Sequence, residues 1–399
     1  MSSDGWKTYK LEEVAEIVGG GTPSTSNSNY WGGDVSWLTP RDLSTSEDRF
    51  VSHGERNITK LGLMNSSAKL LPTGTILLTT RAPIGYLAIA SNPICTNQGF
   101  KSLIPNSQLA DGLFLYYLLR NNVEYLKSVG VGTTFAEISG SVLKQIEFDF
   151  PELPVQRQIA EILSALDDKI ELNRQTNTTL EAIAQAIFKE WFVDFNYPGA
   201  TGEMIESELG LIPKGWSVKP LDEIATFLNG LALQKYPPEN ENEYLPVIKI
   251  RELKHGVTES SDRASRNLPK DYIIQDGDLL FSWSGTLEVK FWVGGEGALN
   301  QHLFKVTSEN YPLWFCYHWI LHHLTDFRNI AEEKTTTMGH IKREHLSDAL
   351  CLVPENIDPL DAIIQPIFSK MLGTDKECQL LIKTRELLLP ELMTGRFEL

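Results

Sequence analysis

The same succession of short motifs occurs twice along this chain, and a duplicated sequence is expected to fold as two copies of one unit. Trp6 in "GWKTYKLEEVAEI" matches Trp216 in "GWSVKPLDEIATF", an offset of 210 residues (216 − 6) that persists from "WLTPRDL" at 37–43 to "VIKIREL" at 247–253. Beyond that point the offset becomes 203: "GTILLTT" from Gly74 aligns with "GDLLFSW" from Gly277, and "TNQGFKSL" with "LNQHLFKV". "TTFAEISGSVLKQIEFDFP" likewise aligns with "TTMGHIKREHLSDALCLVP". One seven-residue deletion (210 − 203) reconciles the two offsets. In each copy, runs rich in Val, Ile, Leu, Thr and aromatics are separated by Gly, Pro, Asn and Asp, the pattern of strands and turns. Helical patches at 111–129 and 312–331 interrupt them, so each copy is read as an α+β domain.

Each copy then ends in an apolar pattern of helical period. From Val155 to Tyr197 there is neither glycine nor proline, although the chain holds 29 Gly and 20 Pro in 399 residues. Ile159, Leu166, Asn173, Leu180 and Ile187 recur every seven residues, and Leu163, Ile170, Asn177, Ala184 and Trp191 form a parallel row. That is a stripe for a partner helix. The second copy supplies one through Ile364, Phe368, Met371, Cys378, Ile382 and Leu389, at an offset of about 205 that carries Phe192 onto Phe397. Pro366 and the polar "GTDKE" are expected to kink this second helix or confine its regular part. If the domains lie at opposite ends, the two helices pack antiparallel, and Asn173 and Asn177 fix the register because a slipped pairing strands their amides. The expected boundaries are 1–150 for the first domain, 151–197 for the first helix, 198–354 for the second domain and 355–399 for the second helix region.

Composition excludes several classes. The first twenty residues lack the apolar core of a signal peptide, and runs such as "LFLYYLL" at 113–119 are too short to span a bilayer. Four scattered cysteines form no C-x-x-C pair or dense disulfide framework and fit a reducing, cytoplasmic compartment. The net charge of −16 argues against a generic polyanion binder; residues 1–199 hold 16 basic and 22 acidic side chains, and the remainder 20 and 30. Any nucleic-acid site must therefore be a local basic patch. No G-x-x-x-x-G-K-[ST] loop, H-E-x-x-H or G-x-S-x-G elbow is present, and "YPPE" at 236–239 is only a distant echo of an amino-methyltransferase loop. His318 and His322 stand at i, i+4 beside His323, with Cys316 nearby, a weak zinc signal because Leu115 replaces His318 in the first copy and no fourth ligand follows.

Taken in order and twice over, these segments resemble the specificity subunits of type I restriction-modification systems. The resemblance covers nearly the whole chain. It rests on "GGGTPSTSNSNYWGGDVSWLTPRDL", "GTILLTTRAPIGYLAIA", "LPVQRQIAEILSALDDKIELNRQ" leading into "FKEWFVDF", "DGDLLFSWSGT", "ALNQHLFKV" and the terminal "LLLPELMTGRFEL". It implies two target-recognition domains joined by two long antiparallel helices in a coiled-coil-like spacer, each domain reading one half of a bipartite double-stranded DNA sequence. It further implies recruitment of two methyltransferase subunits and of restriction or motor subunits. S-adenosylmethionine, ATP and magnesium would sit in those partners, with no cofactor or metal in this chain, no catalytic residue and no membrane. Two other readings compete: a protein-binding scaffold without DNA readout, and a complete DNA-modifying enzyme with unrecognised motifs.

If the halves read different sequences, shared residues should serve the framework or position phosphates, and divergent residues at equivalent places should face bases. Arg41 matches Arg251, Asn97 matches Asn300, Gln98 matches Gln301 and Thr133 matches Thr336; Asn and Gln can either read adenine or bond a buried turn. Arg81 is aligned with Gly285, and Tyr30 and Trp31 face a loop holding Lys235, Tyr236 and Tyr244. The candidate DNA contacts are Arg41, Thr80, Arg81 and Lys101 in the first domain, and Lys249, Arg251, Trp283 and His302 in the second; Trp283 has a core role as its alternative. Phe188, Trp191 and Phe192 put large apolar area at a helix end, either to dock a methyltransferase or to pack on an adjoining domain.

Overall fold

The computed structural model describes residues 5–44, 48–132, 136–333 and 339–396. Thr133, Thr336 and Phe397 lie outside them. The chain forms two units, Met1–Glu171 with Leu381–Leu399, and Leu172–Leu380.

In the first unit the chain runs β1 (Lys7–Lys10), α1 (Leu11–Val14), β2 (Ala15–Gly19), β3 (Trp31–Leu38), α2 (Pro40–Ser44), β4 (Phe50–Val51), β5 (Arg56–Ile58) and α3 (Lys60–Met64). It continues through β6 (Ile76–Thr80), β7 (Ile84–Ala90), β8 (Cys95–Thr96), β9 (Phe100–Pro105), α4 (Gly112–Asn121), α5 (Val123–Ser128), α6 (Gly140–Gln145) and β10 (Glu147–Phe150) into α7 (Leu153–Phe192). The second unit follows with β11 (Met204–Ser207), β12 (Gly210–Pro213), β13 (Trp216–Pro220), α8 (Leu221–Ile224), β14 (Thr226–Asn229), β15 (Leu245–Ile248), α9 (Ile250–His255), β16 (Arg263–Ala264) and β17 (Ile273–Ile274). Then come β18 (Leu279–Ser282), β19 (Val289–Phe291), β20 (Gly297–Leu299), β21 (Leu303–Thr307), α10 (Leu313–Glu333), α11 (Arg343–Asp348), β22 (Leu350–Pro354) and α12 (Asp358–Met393).

Strand pairing turns the sequence repeat into a structural one. The first unit has a five-stranded sheet β2-β9-β6-β7-β4, a three-stranded sheet β5-β3-β8 and the pair β1-β10; the second has β14-β21-β18-β19, β16-β15-β20-β17 and β13-β22. Both offsets reappear in the register. Lys7 faces Phe150 as Ser217 faces Val353, and Glu16 faces Ile104 as Thr226 faces Thr307. Trp37 pairs in parallel with Cys95 as Val247 does with Ala298, and even the lone bridge Leu71–Ile94 has its counterpart in Ile274–Gly297. One pairing scheme, built twice from different side chains, makes this an α+β fold of repeated domains.

The long helices serve both units. α7 contributes its residues up to Glu171 to the first and those from Leu172 to the second, while α12 belongs to the second as far as Leu380 and to the first from Leu381. Pro154 stands in the first turn of α7, where a missing N–H costs nothing. In the first unit Ile159 and Leu163 share a core with Leu389, Leu392 and Met393; in the second, Ala184 and Phe188 share one with Leu360, Ile364 and Phe368. Rising numbers on α7 meet falling numbers on α12, so the helices are antiparallel in both units. Asn173 Nδ2 donates to Glu377 Oε2 at 2.9 Å, and Asn177 Nδ2 donates to Asp375 Oδ1 at 2.6 Å and to the Met371 carbonyl at 3.1 Å.

Pro366 does not confine the regular part of the second helix: α12 runs 36 residues through Pro366 and Gly373. Proline inside a helix costs about 3 kcal/mol. Here Leu360, Ile364 and Phe368, on either side of it, are all 3% exposed or less, and burying three such side chains contributes more than that.

Candidate nucleic-acid interface

In the first unit β6 ends at Thr80 and presents Arg81 at the sheet margin. Thr80 itself is fully buried; its N–H donates to the Gly99 carbonyl at 2.8 Å and its carbonyl accepts from the Ile138 N–H at 3.0 Å. It therefore positions the strand end rather than offering a side chain. Arg81 bridges Glu137 through the backbone, and Arg81 Nη1 and Lys101 Nζ lie 3.7 and 3.8 Å from the Glu137 carboxylate. One carboxylate thus gathers two of the candidate cations. Arg41, on α2, is exposed and separate, with no carboxylate partner among the described residues.

The second unit has the same backbone and other chemistry. Ser284 bridges His340 as Arg81 bridges Glu137, both at an offset of 203, so Ser284 and not Gly285 occupies the place of Arg81. Trp283 stands where Thr80 does, and its N–H points to the His302 carbonyl at 3.3 Å as that of Thr80 points to Gly99. Trp283 Nε1 donates to Asn229 Oδ1 at 2.9 Å and to the Gln301 carbonyl at 3.0 Å, while the ring lies 5.8 Å from His302 and 6.2 Å from Phe304. The indole is half-buried and packs against the core of the second unit. His302 Nδ1 lies 2.9 Å from Ser284 Oγ.

Lys249 and Arg251 are engaged nearby. Lys249 Nζ pairs with Asp262, and that hydrogen bond holds the Asp262 carboxyl below its ordinary range. Arg251 donates through Nε and Nη2 to Glu252 Oε1 at 2.9 and 2.7 Å and through Nη2 to the Ser260 carbonyl at 3.2 Å. Burial works to raise the Glu252 carboxyl, but hydrogen bonds from Arg251 and Ser261 outweigh it and hold it low. Arg41 and Arg251 are thus alike in sequence and unlike in surroundings. Asn97 and Asn300 both accept from a backbone N–H two residues on, Gly99 at 2.8 Å and His302 at 3.2 Å, which makes them turn formers.

The three aromatics at the end of α7 lie inside the second unit. Phe188, Trp191 and Phe192 are 5, 8 and 0% exposed; Phe188 stacks on Phe192 at 4.9 Å and on His318 at 5.1 Å, and Phe192 packs on Phe315 at 5.3 Å. His318 sits among Phe188, Trp314, Tyr317 and Phe368, where burial pushes its pKa down to about 3. Among the described residues no group of three His, Cys, Asp or Glu is placed to hold a metal ion, and no helix is long and apolar enough to cross a membrane.

Two arginines that sequence reasoning passed over stand on the small sheets. Arg56 of β5 lies 3.8 Å over the Trp31 ring, and Arg263 of β16 lies 4.3 Å over that of Tyr244. The aromatics were visible in sequence; their partners depend on strand register across loops of unequal length.

Comparison with known proteins accounts for the duplication. Residues 3–182 and 213–354 match the family described as the type I restriction modification DNA specificity domain. The chain is 36% identical over 409 residues to the type I restriction enzyme MjaIX specificity subunit of Methanocaldococcus jannaschii, covering 98% of this chain and 93% of that one. It is 24% identical to the HindI specificity subunit of Haemophilus influenzae, covering 98 and 99%. In fold it is similar to the S subunit of the type I restriction-modification system of M. genitalium, with a TM-score of 0.60 at 14% identity over 98% of this chain and 96% of that one. Paired domains, paired helices and a family match in both halves lead to one conclusion: the chain belongs to the specificity subunits of type I restriction-modification systems.

Proposed function

We propose that this chain is the DNA-recognition subunit of a type I complex, that each repeated domain reads one half of a bipartite double-stranded target, and that α7 and α12 set the distance between the halves. The observation that carries the reading is divergence on a constant frame. The same bridge joins Arg81 to Glu137 and Ser284 to His340, while the adjoining positions hold Thr80 and Gly99 in one domain and Trp283 and His302 in the other. The same place in the frame thus offers a half-exposed cation beside Glu137 in one domain and a buried serine against His302 in the other, a difference in chemistry that reading different bases calls for.

In this reading Arg81 and Lys101 face the first half-site, with Thr80 fixing the strand end and Arg41 meeting a phosphate. Trp283 and His302 face the second half-site, flanked by Lys249 and Arg251. Glu137, Asp262 and Glu252 hold these cations in place until DNA competes for them. A chain of net charge −16 cannot draw DNA by charge alone, so two methyltransferase subunits supply much of the phosphate contact, and restriction or motor subunits join them. Those partners hold S-adenosylmethionine, ATP and magnesium. The end of α7 takes part in docking a methyltransferase; Phe188, Trp191 and Phe192 hold that helix end against the second domain rather than touching the partner directly.

The test is an exchange. Replacing residues 1–150 with the corresponding domain of a relative, and mapping methylated motifs in host DNA, should alter one half of the motif and leave the other intact. Changes in both halves, or sequence-independent methylation, would reject the reading.

A further inference from the structure

We infer that Arg56, stacked over Trp31 beside a glycine-walled groove, reads the edge of a G·C base pair in the first half-site. The inference rests on the function proposed above and adds a residue that the alignment of the two halves does not single out.

The arginine is both free and fixed. It is exposed and has no carboxylate partner among the described residues, whereas Arg49, Arg81, Lys101 and Arg120 all do. Its guanidinium carbon nonetheless sits 3.8 Å from the Trp31 ring centroid. Trp31 is anchored in turn: its Nε1 donates to the Ser24 carbonyl at 3.2 Å, and its ring meets Trp37 edge-on at 5.0 Å. Trp37 is 4% exposed and donates to the Gly21 carbonyl at 2.9 Å. Stacking holds the guanidinium plane while leaving its N–H edge open, the arrangement that suits bidentate recognition and limits the entropy lost on binding.

The backbone beside it bulges. Trp31 and Val35 both pair with Ile58, so Gly32, Gly33 and Asp34 bulge from the β3–β5 ladder. Gly32 has φ +77° and faces open space, while a Cβ on Gly33 or Gly54 would come within 2.6 Å of the Thr59 Cα or of the Trp37 carbonyl oxygen, so those two glycines let the bulge pack closely on its own strands. The bulge borders a groove of about 460 Å³ that His53, Glu55, Arg56 and Asn57 also line. The loop is braced from behind, where Asp42 accepts from the Thr39 N–H at 2.6 Å and from the Glu55 N–H at 2.8 Å.

The choice between base and phosphate follows from Glu55. A phosphate entering this groove meets an acidic residue in the lining as well as the arginine. A G·C edge offers acceptors at O6 and N7 for Arg56 and a donor at the cytosine N4 for Glu55.

Divergence points the same way. Val35 faces Ile58 as Leu245 faces Ala264, which puts Asp262 in the place of Arg56 and Arg263 in that of Asn57. There Asp262 is tied to Lys249, and Arg263 lies over Tyr244. The frame is shared and the chemistry is not.

The test uses this chain assembled with its methyltransferase subunits, as wild type, Arg56→Lys and Arg56→Ala, with methylated motifs mapped genome-wide. Arg56→Lys keeps the charge and loses the planar fork. It should relax one position of the first half-site, lowering discrimination there by about 10- to 100-fold, with the second half-site unchanged. An unchanged motif in both variants overturns the inference, and so does a uniform loss of methylation without relaxation, the mark of a phosphate contact. A wild-type complex that methylates without sequence preference would instead reject the function proposed above.

Discussion

His318 shows how far a residue's chemistry depends on what surrounds it. Spacing alone sets it beside His322 as one of a pair of ligands, yet its ring is 2% exposed and enclosed by aromatics, with Nε2 unpartnered. Burial holds its pKa at about 3, so the folded chain keeps the imidazole neutral. The unfolded chain takes a proton near pH 6.5. The His318 contribution to stability is therefore fully present above that value and is lost as pH falls toward 3. Between pH 7.5 and pH 5 the loss is about 2 kcal/mol, and His322 and His323, also lowered by burial, act in the same direction. His318→Phe should flatten the pH dependence of denaturant-induced unfolding by about that amount. An undiminished slope would place the acid sensitivity elsewhere. Burial pushes the Cys316 thiol up to about 12 and raises that of Cys351 as well, which leaves both thiols unreactive. Arg56 was the opposite case. Nothing in "HGERN" marks its arginine, because the ring it stacks on arrives only after a bulge has folded.

At the scale of elements, periodicity found α7 and α12, and the second continues through its proline rather than starting after it. The stripe of ten α7 positions is buried or half-buried throughout, as a helical seam requires. What the stripe could not reveal is the polar layer in the first unit, since its members come from four separate parts of the chain. Asp167, 4% exposed, accepts from Tyr117 OH at 2.6 Å and pairs with Arg385. Arg49 donates to the Tyr117 oxygen at 3.1 Å and pairs with Asp168. Arg385→Met leaves the Asp167 carboxylate buried without its main cation and should cost about 3–5 kcal/mol of stability. Asp167→Asn added to it should recover a good part of that loss, because the stranded charge rather than the missing contact carries most of the cost. Equal and additive losses in a denaturation double-mutant cycle would show that the layer is not coupled.

At the scale of the molecule, the duplication was legible because register obeys it: the pairings repeat at the offsets of 210 and 203 read from the matched segments, and extend them to residues such as Leu71 and Ile94 that those segments did not include. Which side chains line a shared place was less legible, as the exchange of Gly285 for Ser284 shows. The helices also change what a test of spacing must be. α7 carries Asp167 in the first unit and Asn173 and Asn177 in the second, while α12 carries Arg385 in the first and Glu377 and Asp375 in the second. Four residues inserted after Leu172 in α7 alone separate Asp167 from Asn173 by about 6 Å more than their partners on α12 can follow. One of the polar layers must then break, with loss of stability and assembly. A matching insertion after Leu380 in α12 restores both layers. The pair lengthens the helical segment by about 6 Å and turns it about 40° beyond a full turn. One base pair advances about 3.4 Å and, at about 10 to 10.5 per turn, rotates roughly 35°. The doubly inserted chain should therefore methylate a motif whose spacer is longer by one or two base pairs, with both half-sites unchanged. Methylation mapping decides the matter, since an active double insertion with an unaltered spacer would show that the helices do not set the distance.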